Sequence, residues 1–210
     1  MNSYTGITAG RRGIVVGLAL LAVVSITATP ISFASANTTP AQARKLIEDL
    51  TKQALSILRT EKGDLAAREQ KFRTVLTDYF AMPSISRRVA GKHWQDMSPD
   101  QQKEFEQLFS AWVLKTYARR LGGYQGEEIA IGKASAVSDD TVLVQTKVSS
   151  QKRNNKVDWR VVEEDAGQHK IVDVSVDGVS MLVAQKSEVE SIIKNKGVDG
   201  LITTLRKHVQ

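Results

Sequence analysis

The sequence predicts an α+β domain in which about six or seven helices pack against a four-stranded antiparallel sheet. Apolar residues recur at helical spacing up to Gly126, and a helical segment is predicted again after Gly178. Between these two positions they recur at every second residue, which is the spacing of half-buried strands. Short polar turns separate the predicted strands, so neighbouring strands run antiparallel and the helices lie on one face of the sheet.

The first 36 residues are predicted to be a cleaved signal peptide that takes no part in the fold. Arg11-Arg12 precedes an apolar run from Gly13 to Val24, and Ala34-Ser35-Ala36 has the small residues that signal peptidase requires. The run is shorter than the roughly 20 residues of a membrane span. We expect cleavage near Ala36 and a single mature domain, residues 37–210, in the periplasm; a retained anchor is the alternative.

Four helices are predicted before residue 126. Capping-box sequences, in which a Ser or Thr and a Gln three residues later satisfy each other's backbone N–H groups, begin the first helix at Thr39 and the fourth at Ser98. The second spans residues 65–79, and Met82-Pro83 begins a short third helix. The fourth ends at Gly122-Gly123 and carries a wide apolar face that includes Phe105, Phe109, Trp112 and Tyr117.

Four strands follow, predicted over Glu128–Ile131, Thr141–Ser149, Lys156–Glu163 and Lys170–Val176. Alternation places their apolar side chains on one face, against which the helices must pack. That face is predicted to carry Val142, Val144, Val148, Val157, Trp159, Val161, Val172, Val174 and Val176.

The tail is predicted to be helical. Asp177-Gly178 ends the last strand, and the apolar run Val179 to Val183 predicts a buried helix directly after it. Ser187 to Glu190 is predicted to form a further capping box. Gly197 is predicted to break the helix, and Leu201 and Leu205 are predicted to belong to a last helix.

Composition and motifs argue against catalysis and metal binding. The chain has no cysteine, which excludes thiol chemistry, Cys-zinc sites and disulfides. His93, His169 and His208 fall in three different predicted elements, and no serine elbow or phosphate-binding glycine loop is present. An enzyme would need an acid/base pair inside a cavity, and the only candidates, Asp158 and Asp173, are predicted to face outward.

Several segments resemble the MlaC, or toluene-tolerance, family of auxiliary proteins of ABC lipid transporters. Each is weak alone, but their order and spacing are shared over essentially the whole mature chain. They are Phe80–Trp94, Ser98–Phe109, Thr116–Leu121, Val157–Arg160, Ile171–Met181, Gln185–Glu188 and Gly197–Ile202. A related branch is associated with hopanoid biosynthesis, so a hopanoid or another apolar ligand remains an alternative.

The resemblance implies an NTF2-like fold around an apolar cavity that holds phospholipid as cargo, with no cofactor and no enzymatic activity. It also implies partners: an outer-membrane lipoprotein complex, and an inner-membrane complex of MCE-domain protein, permease and ATPase. The role implied is maintenance of outer-membrane lipid asymmetry. Two acyl chains would call for a dry cavity at or above the upper end of the usual range of roughly 300 to 1,000 Å³.

Candidate site residues follow from the predicted apolar faces and from the basic residues. The predicted lipid contacts are Phe105, Phe109, Trp112, Val142, Val144, Trp159, Val161, Val172, Val174 and Met181. Headgroup or partner contacts are predicted at Arg87, Arg88 and Lys92. Removal of the signal peptide would lower the net charge from +6 to +4, because Arg11 and Arg12 are lost and no acidic residue is. An anionic membrane surface or an acidic partner is therefore favoured over nucleic acid. A filled core and a solvated basic face are the alternatives, because periodicity cannot distinguish a filled core from a hollow one.

Overall fold

The computed structural model describes residues 38–61, 63–120, 124, 126–150, 154–164 and 167–210. The predicted signal peptide, its cleavage site and the Gly122-Gly123 helix stop lie outside these ranges. Helices α1 (Pro40–Thr60), α2 (Leu65–Tyr79) and α3 (Met82–Ala90), a 3₁₀ turn (Gly91–Trp94) and α4 (Pro99–Arg120) come first. Strands β1 (Glu128–Ala136), β2 (Thr141–Ser149), β3 (Asn154–Glu164), β4 (Gln168–Val176) and β5 (Val179–Ser180) precede helix α5 (Met181–Val209).

The predicted antiparallel meander is confirmed. The strand order is β1-β2-β3-β4-β5, and each strand pairs with the next one along the chain. In the central row Val144 lies opposite Trp159, which in turn lies opposite Val174. The β3–β4 register shifts at Arg160/Val161, so that Val172 is the extra residue of a β-bulge.

The capping boxes predicted at Thr39 and Ser98 form. Thr39 caps α1 together with Gln42. At α4 the Gln101 amide N–H donates to Ser98 Oγ (3.2 Å), and the Ser98 amide N–H donates to Gln101 Oε1 (2.9 Å). These short-range bonds satisfy backbone donors that the helix itself leaves without partners.

The sheet has five strands among the described residues, not the four predicted. Val179–Ser180, assigned from sequence to a buried helix, forms β5 and pairs with the end of β4. The cause is the turn before it: Asp177 (φ 49°) and Gly178 (φ 86°) both have positive φ, as in a type I′ hairpin turn. Val179 and Val183 are 58% and 61% exposed, so the predicted burial of this run is also wrong.

The helix predicted directly after Gly178 begins at Met181, and it continues through Ser187, where a separate helix was predicted to begin. Ser180 is the N-cap of α5, and its Oγ accepts a hydrogen bond from the Val183 amide (3.1 Å). Ser187, predicted to begin a helix, lies inside α5 and donates its hydroxyl to the Val183 carbonyl (3.1 Å). The break at Gly197 is confirmed by its non-helical φ of 70° and ψ of 179°. Within the described ranges the chain therefore has five α-helices and one 3₁₀ turn, fewer than the six or seven predicted.

Two groups of buried side chains support the fold. The first joins α1 and α2 to the sheet and includes Ala43, Ile47, Leu50, Phe72, Val142, Val144, Val161 and Ile171. The second joins α3, α4 and α5 and includes Met82, Val89, Phe105, Phe109, Val189, Ile193, Leu201 and Leu205. None of the described helices is both long and apolar enough to cross a membrane.

Candidate functional site

A cavity of about 610 Å³ lies between the sheet and the helices. Its wall is almost entirely apolar and takes residues from both buried groups. The helices and the α2–α3 junction contribute Leu50, Thr51, Ala54, Leu55, Leu58, Phe72, Val75, Leu76, Phe80, Met82, Ile85, Val89, Phe109, Val113, Leu114, Tyr117, Ala118, Arg120, Met181, Leu182 and Gln185. The volume falls in the middle of the range typical of ligand sites, below the size predicted for two acyl chains.

The sheet contributes only part of its apolar face to the wall. Val148, Val157, Trp159, Val174 and Val176 line the cavity. Val142, Val144 and Val161 lie on the same face but are almost completely buried in the core beside Ile47 of α1. One face of the sheet is therefore packed by α1 at one end and left open to the cavity at the other.

Trp159 presents its ring to the cavity while its polar atom is bonded elsewhere. Its Nε1–H donates to Thr146 Oγ1 (3.0 Å), and the Thr146 hydroxyl donates to the Val157 carbonyl (3.0 Å). A buried donor without a partner would attract water or cost free energy. Because the Nε1–H of Trp159 is bonded to Thr146, the part of Trp159 that lines the cavity is apolar.

Asp173 also borders the cavity, and its carboxylate is engaged by the start of α5. It accepts hydrogen bonds from Ser180 Oγ (2.7 Å) and the Leu182 amide (3.0 Å), and Arg160 Nε lies 3.7 Å from it. The side chain belongs to a residue only 7% exposed, so the prediction that it faces outward is wrong. The bulge at Val172 changes the alternation, and β5 folds beside Asp173.

Most polar residues of the wall lie at the end of α4, at the neighbouring strand ends and on the first turns of α5. We call this set the polar arc: Tyr117, Arg120, Tyr124, Glu127, Ser150, Asn155 and Gln185. The sheet members lie at the same edge, where β1 begins, β2 ends and β3 begins. Arg120 is the one exposed residue in the described wall. The arc therefore marks the mouth of the cavity.

Five of the ten predicted lipid contacts lie in the wall: Phe109, Trp159, Val172, Val174 and Met181. Phe105, Trp112, Val142, Val144 and Val161 do not. Phe105 stacks on the far side of Phe109 with ring centroids 5.6 Å apart, and Trp112 packs at 5.8 Å from the same ring. Contact with a lipid stays a prediction for all ten.

The basic residues predicted to meet a headgroup or partner lie away from the cavity wall. The Arg87 guanidinium lies 5.5 Å from the Trp94 ring centre, and Lys92 pairs with Glu190 at 3.6 Å. Arg88 is exposed on α3. The structure does not bring these three residues together with the predicted lipid contacts, and their role stays a prediction.

Sequence reasoning missed the part of the wall that α1 and α2 supply. The stripe Leu50, Ala54, Leu55 and Leu58 was visible at helical spacing but indicated only a buried face. Nothing in that spacing tells whether the opposing surface is in contact or separated by a cavity. Arg119 and Arg120 were visible in the sequence as basic residues at the end of a helix, where binding of an anionic headgroup and compensation of the C-terminal helix dipole were both open interpretations.

Residues 48–207 match the sequence model of the family described as MlaC protein. The chain belongs to the MlaC family. Over 141 residues it is 24% identical to an intermembrane phospholipid transport system binding protein MlaC from Haemophilus influenzae, a match that covers 64% of this chain and 65% of that protein. The structure is similar to that of a phospholipid-binding protein from Ralstonia solanacearum solved in complex with a phospholipid, with a TM-score of 0.67, 22% identity, and 80% and 96% of the two chains covered.

This member of the MlaC family shows an α+β fold shared with that structure. Among the described residues, no group of three or more His, Asp and Glu side chains is placed to hold a metal ion. The apolar cavity with its polar mouth is the feature of these residues that we consider as a ligand-binding site.

Proposed function

We propose that this MlaC-family protein is a phospholipid carrier that holds the acyl chains of its cargo in the cavity and leaves the headgroup at the polar arc. The single observation that carries the proposal is the 610 Å³ apolar cavity whose wall includes the polar arc. A phospholipid likewise has an apolar part, its acyl chains, and a polar part, its headgroup. The relatives named above support this ligand class.

Transfer free energy explains why such a carrier is needed. Burial of each CH₂ recovers about 0.8 kcal/mol, so exposing two long acyl chains to water costs on the order of 20 kcal/mol. A lipid cannot cross an aqueous compartment at a useful rate unless those chains are covered. The carrier needs no nucleotide site of its own, because its partners would set the direction of transport.

The wider setting belongs to the same proposal. The carrier works in the periplasm after removal of residues 1–36, between an outer-membrane lipoprotein complex and an inner-membrane complex of MCE-domain protein, permease and ATPase. In this role it maintains the lipid asymmetry of the outer membrane. An NTF2-like fold is also part of the proposal, and the helices packed on one face of an antiparallel sheet are consistent with it.

The acidic residues of the sheet give no support to the enzyme alternative. The carboxylate of Asp173 is occupied by Ser180 and the start of α5. Asp158 Oδ2 lies 3.2 Å from Lys156 Nζ. A general acid or base must reach the reacting atom of a substrate in the cavity. Asp173 borders the cavity with its carboxylate already bonded, and Asp158 does not belong to the cavity wall.

The test is identification of the natural cargo. Protein isolated from the periplasm without detergent is extracted with organic solvent, and the extract is analysed by mass spectrometry. Glycerophospholipids at a stoichiometric level are expected, and transfer of labelled phospholipid between donor and acceptor vesicles should follow. Stoichiometric hopanoid instead, or extracts empty of lipid from folded protein, would contradict the proposal.

A further inference from the structure

We propose that Arg120 and Tyr117, at the mouth of the cavity, form a subsite for the phosphate group of the bound lipid. This inference rests on the function proposed above and narrows its ligand class to lipids that carry a phosphate next to their acyl chains. The subsite differs from the basic residues of α3 that the sequence indicated.

The first support is the separation of polar groups within the wall. Elsewhere in the wall three polar side chains are engaged by the protein itself: Thr51 donates to the Glu48 carbonyl (3.0 Å), Trp159 donates to Thr146, and Asp173 accepts from Ser180. These groups offer little to a ligand. A polar headgroup is therefore directed to the arc, where the wall is open to solvent.

Arg120 is a cation that remains available. Among the described residues no carboxylate forms an ion pair with it, whereas Arg206 pairs with Glu104 and Lys92 with Glu190. Its guanidinium carbon lies 5.5 Å from the centre of the Tyr117 ring, and both residues belong to the cavity wall. A guanidinium binds phosphate through charge-assisted, often bidentate hydrogen bonds.

Tyr117 supplies a neutral hydroxyl beside that cation. Burial raises the pKa of the Tyr117 phenol, the positive charge of Arg120 opposes that rise, and Glu188 of α5 adds to it. A phenol with a raised pKa keeps its proton at neutral pH and can donate a hydrogen bond to a phosphate oxygen. The ring itself lines the cavity, so one residue can contact both the chains and the headgroup.

A carboxylate near this region limits the headgroup. Glu188 of α5 is close enough to Tyr117 to raise the pKa of its phenol. Additional negative charge on a ligand would be repelled by Glu188. A headgroup with one phosphate charge, or a zwitterionic one, fits this surface better than a polyanionic headgroup.

The experiment compares Arg120→Gln with Arg119→Gln in delipidated full-length mature protein. Arg119 is the exposed neighbour in sequence but does not belong to the cavity wall, which makes it a matched control. Two probes share their acyl chains and differ in the phosphate: dioctanoyl phosphatidylethanolamine and dioctanoylglycerol. Binding is measured by titration calorimetry, and thermal melting confirms that each variant is folded.

Arg120→Gln should weaken binding of the phospholipid about tenfold and leave binding of the diacylglycerol unchanged, since a hydrogen bond to a charged group is lost only for the first probe. Arg119→Gln should change neither affinity. Arg120→Lys, which keeps the charge without the bidentate geometry, should lie between wild type and Arg120→Gln. Higher salt should reduce the difference between the two probes.

The subsite is overturned if Arg120→Gln binds the phospholipid as tightly as wild type, or if it loses both probes equally. In either case a wild-type protein that binds both probes leaves the carrier function standing. Wild-type protein that binds neither probe after delipidation overturns the carrier function and the subsite together.

Discussion

Val144 and Val174 lie on opposite sides of Trp159 in the sheet, on the same face and in the same row, yet only Val174 reaches the cavity. Val144 is completely buried in the core group that includes Ile47, whereas Val174 is half-buried and lines the wall. Within the row Val144, Trp159 and Val174, the filled core therefore ends after Val144 and the cavity begins at Trp159. Substitutions on either side of that boundary should have opposite effects.

Val174→Trp should fill ligand space, so that bound lipid falls while the delipidated protein keeps nearly wild-type stability. Val144→Trp should overpack the core and cost about 1 to 3 kcal/mol or more of the free energy of unfolding. Melting temperature and bound-lipid stoichiometry are measured on both variants. A large stability loss in Val174→Trp together with normal lipid content would contradict the placement of Val174.

Thr146→Val tests the hydrogen-bond chain behind the cavity wall. The substitution leaves the Trp159 Nε1–H without its acceptor, and an unsatisfied donor at a buried position costs about 1 to 3 kcal/mol. Urea denaturation measures the decrease in the free energy of unfolding. Adding Trp159→Phe to Thr146→Val removes the unsatisfied donor and should recover part of that decrease. Equal stability of the single and double variants would contradict a cost from the unsatisfied Trp159 N–H.

Asp173→Ala tests how the start of α5 is held. Removing the carboxylate abolishes its bonds from Ser180 Oγ and the Leu182 amide and should cost on the order of 3 kcal/mol, since hydrogen bonds to a charged group contribute about 1.5 to 3 kcal/mol each. Hydrogen exchange should accelerate at residues 181–183. Ser180→Ala, which removes the helix N-cap, is the milder comparison at about 1 kcal/mol. Unchanged exchange in Asp173→Ala would contradict the assignment.

Asp177→Asn should reduce the loss of stability in acid. Hydrogen bonds from Asn155 Nδ2, and then from the Lys156 amide, hold the pKa of Asp177 below its usual value. A carboxyl whose pKa is lowered by folding stabilises the native state above its unfolded pKa of about 4, and that contribution is lost as the pH falls through the lower folded-state pKa. Asn tolerates the positive φ of this turn and does not titrate.

The measurement is the change in urea midpoint between neutral pH and about pH 3. Wild type should lose more than Asp177→Asn over this interval. Other carboxyls contribute equally to both proteins, so the difference between the two isolates Asp177. Identical pH dependence would show that the turn makes no ionic contribution to stability.

Local sequence information was sufficient for most elements of the fold. Capping at Thr39 and Ser98, the break at Gly197 and the meander depend on bonds between residues close in sequence, so they could be predicted. The strand Val179–Ser180 could have been predicted as well, because Asp-Gly is the strongest short hairpin sequence. Its apolar residues were assigned to burial, but two of them are exposed.

The cavity could be predicted only in part. Alternation identified the sheet face that contains Trp159 and Val174, but it gave the same pattern for Val144, which belongs to the filled core. The difference depends on where α1 crosses the sheet, and this is a tertiary property that no periodicity contains. The buried position of Asp173 depends in the same way on a bulge and on a strand that forms beside it.

Native mass spectrometry tests most directly whether this protein carries a bound phospholipid. The mature protein is prepared without detergent and weighed before and after delipidation. We expect a mass excess equal to about one phospholipid per chain. Delipidation should remove this excess, and incubation with phospholipid vesicles should restore it. A folded protein that carries no mass excess in either preparation, and gains none from the vesicles, would contradict this expectation.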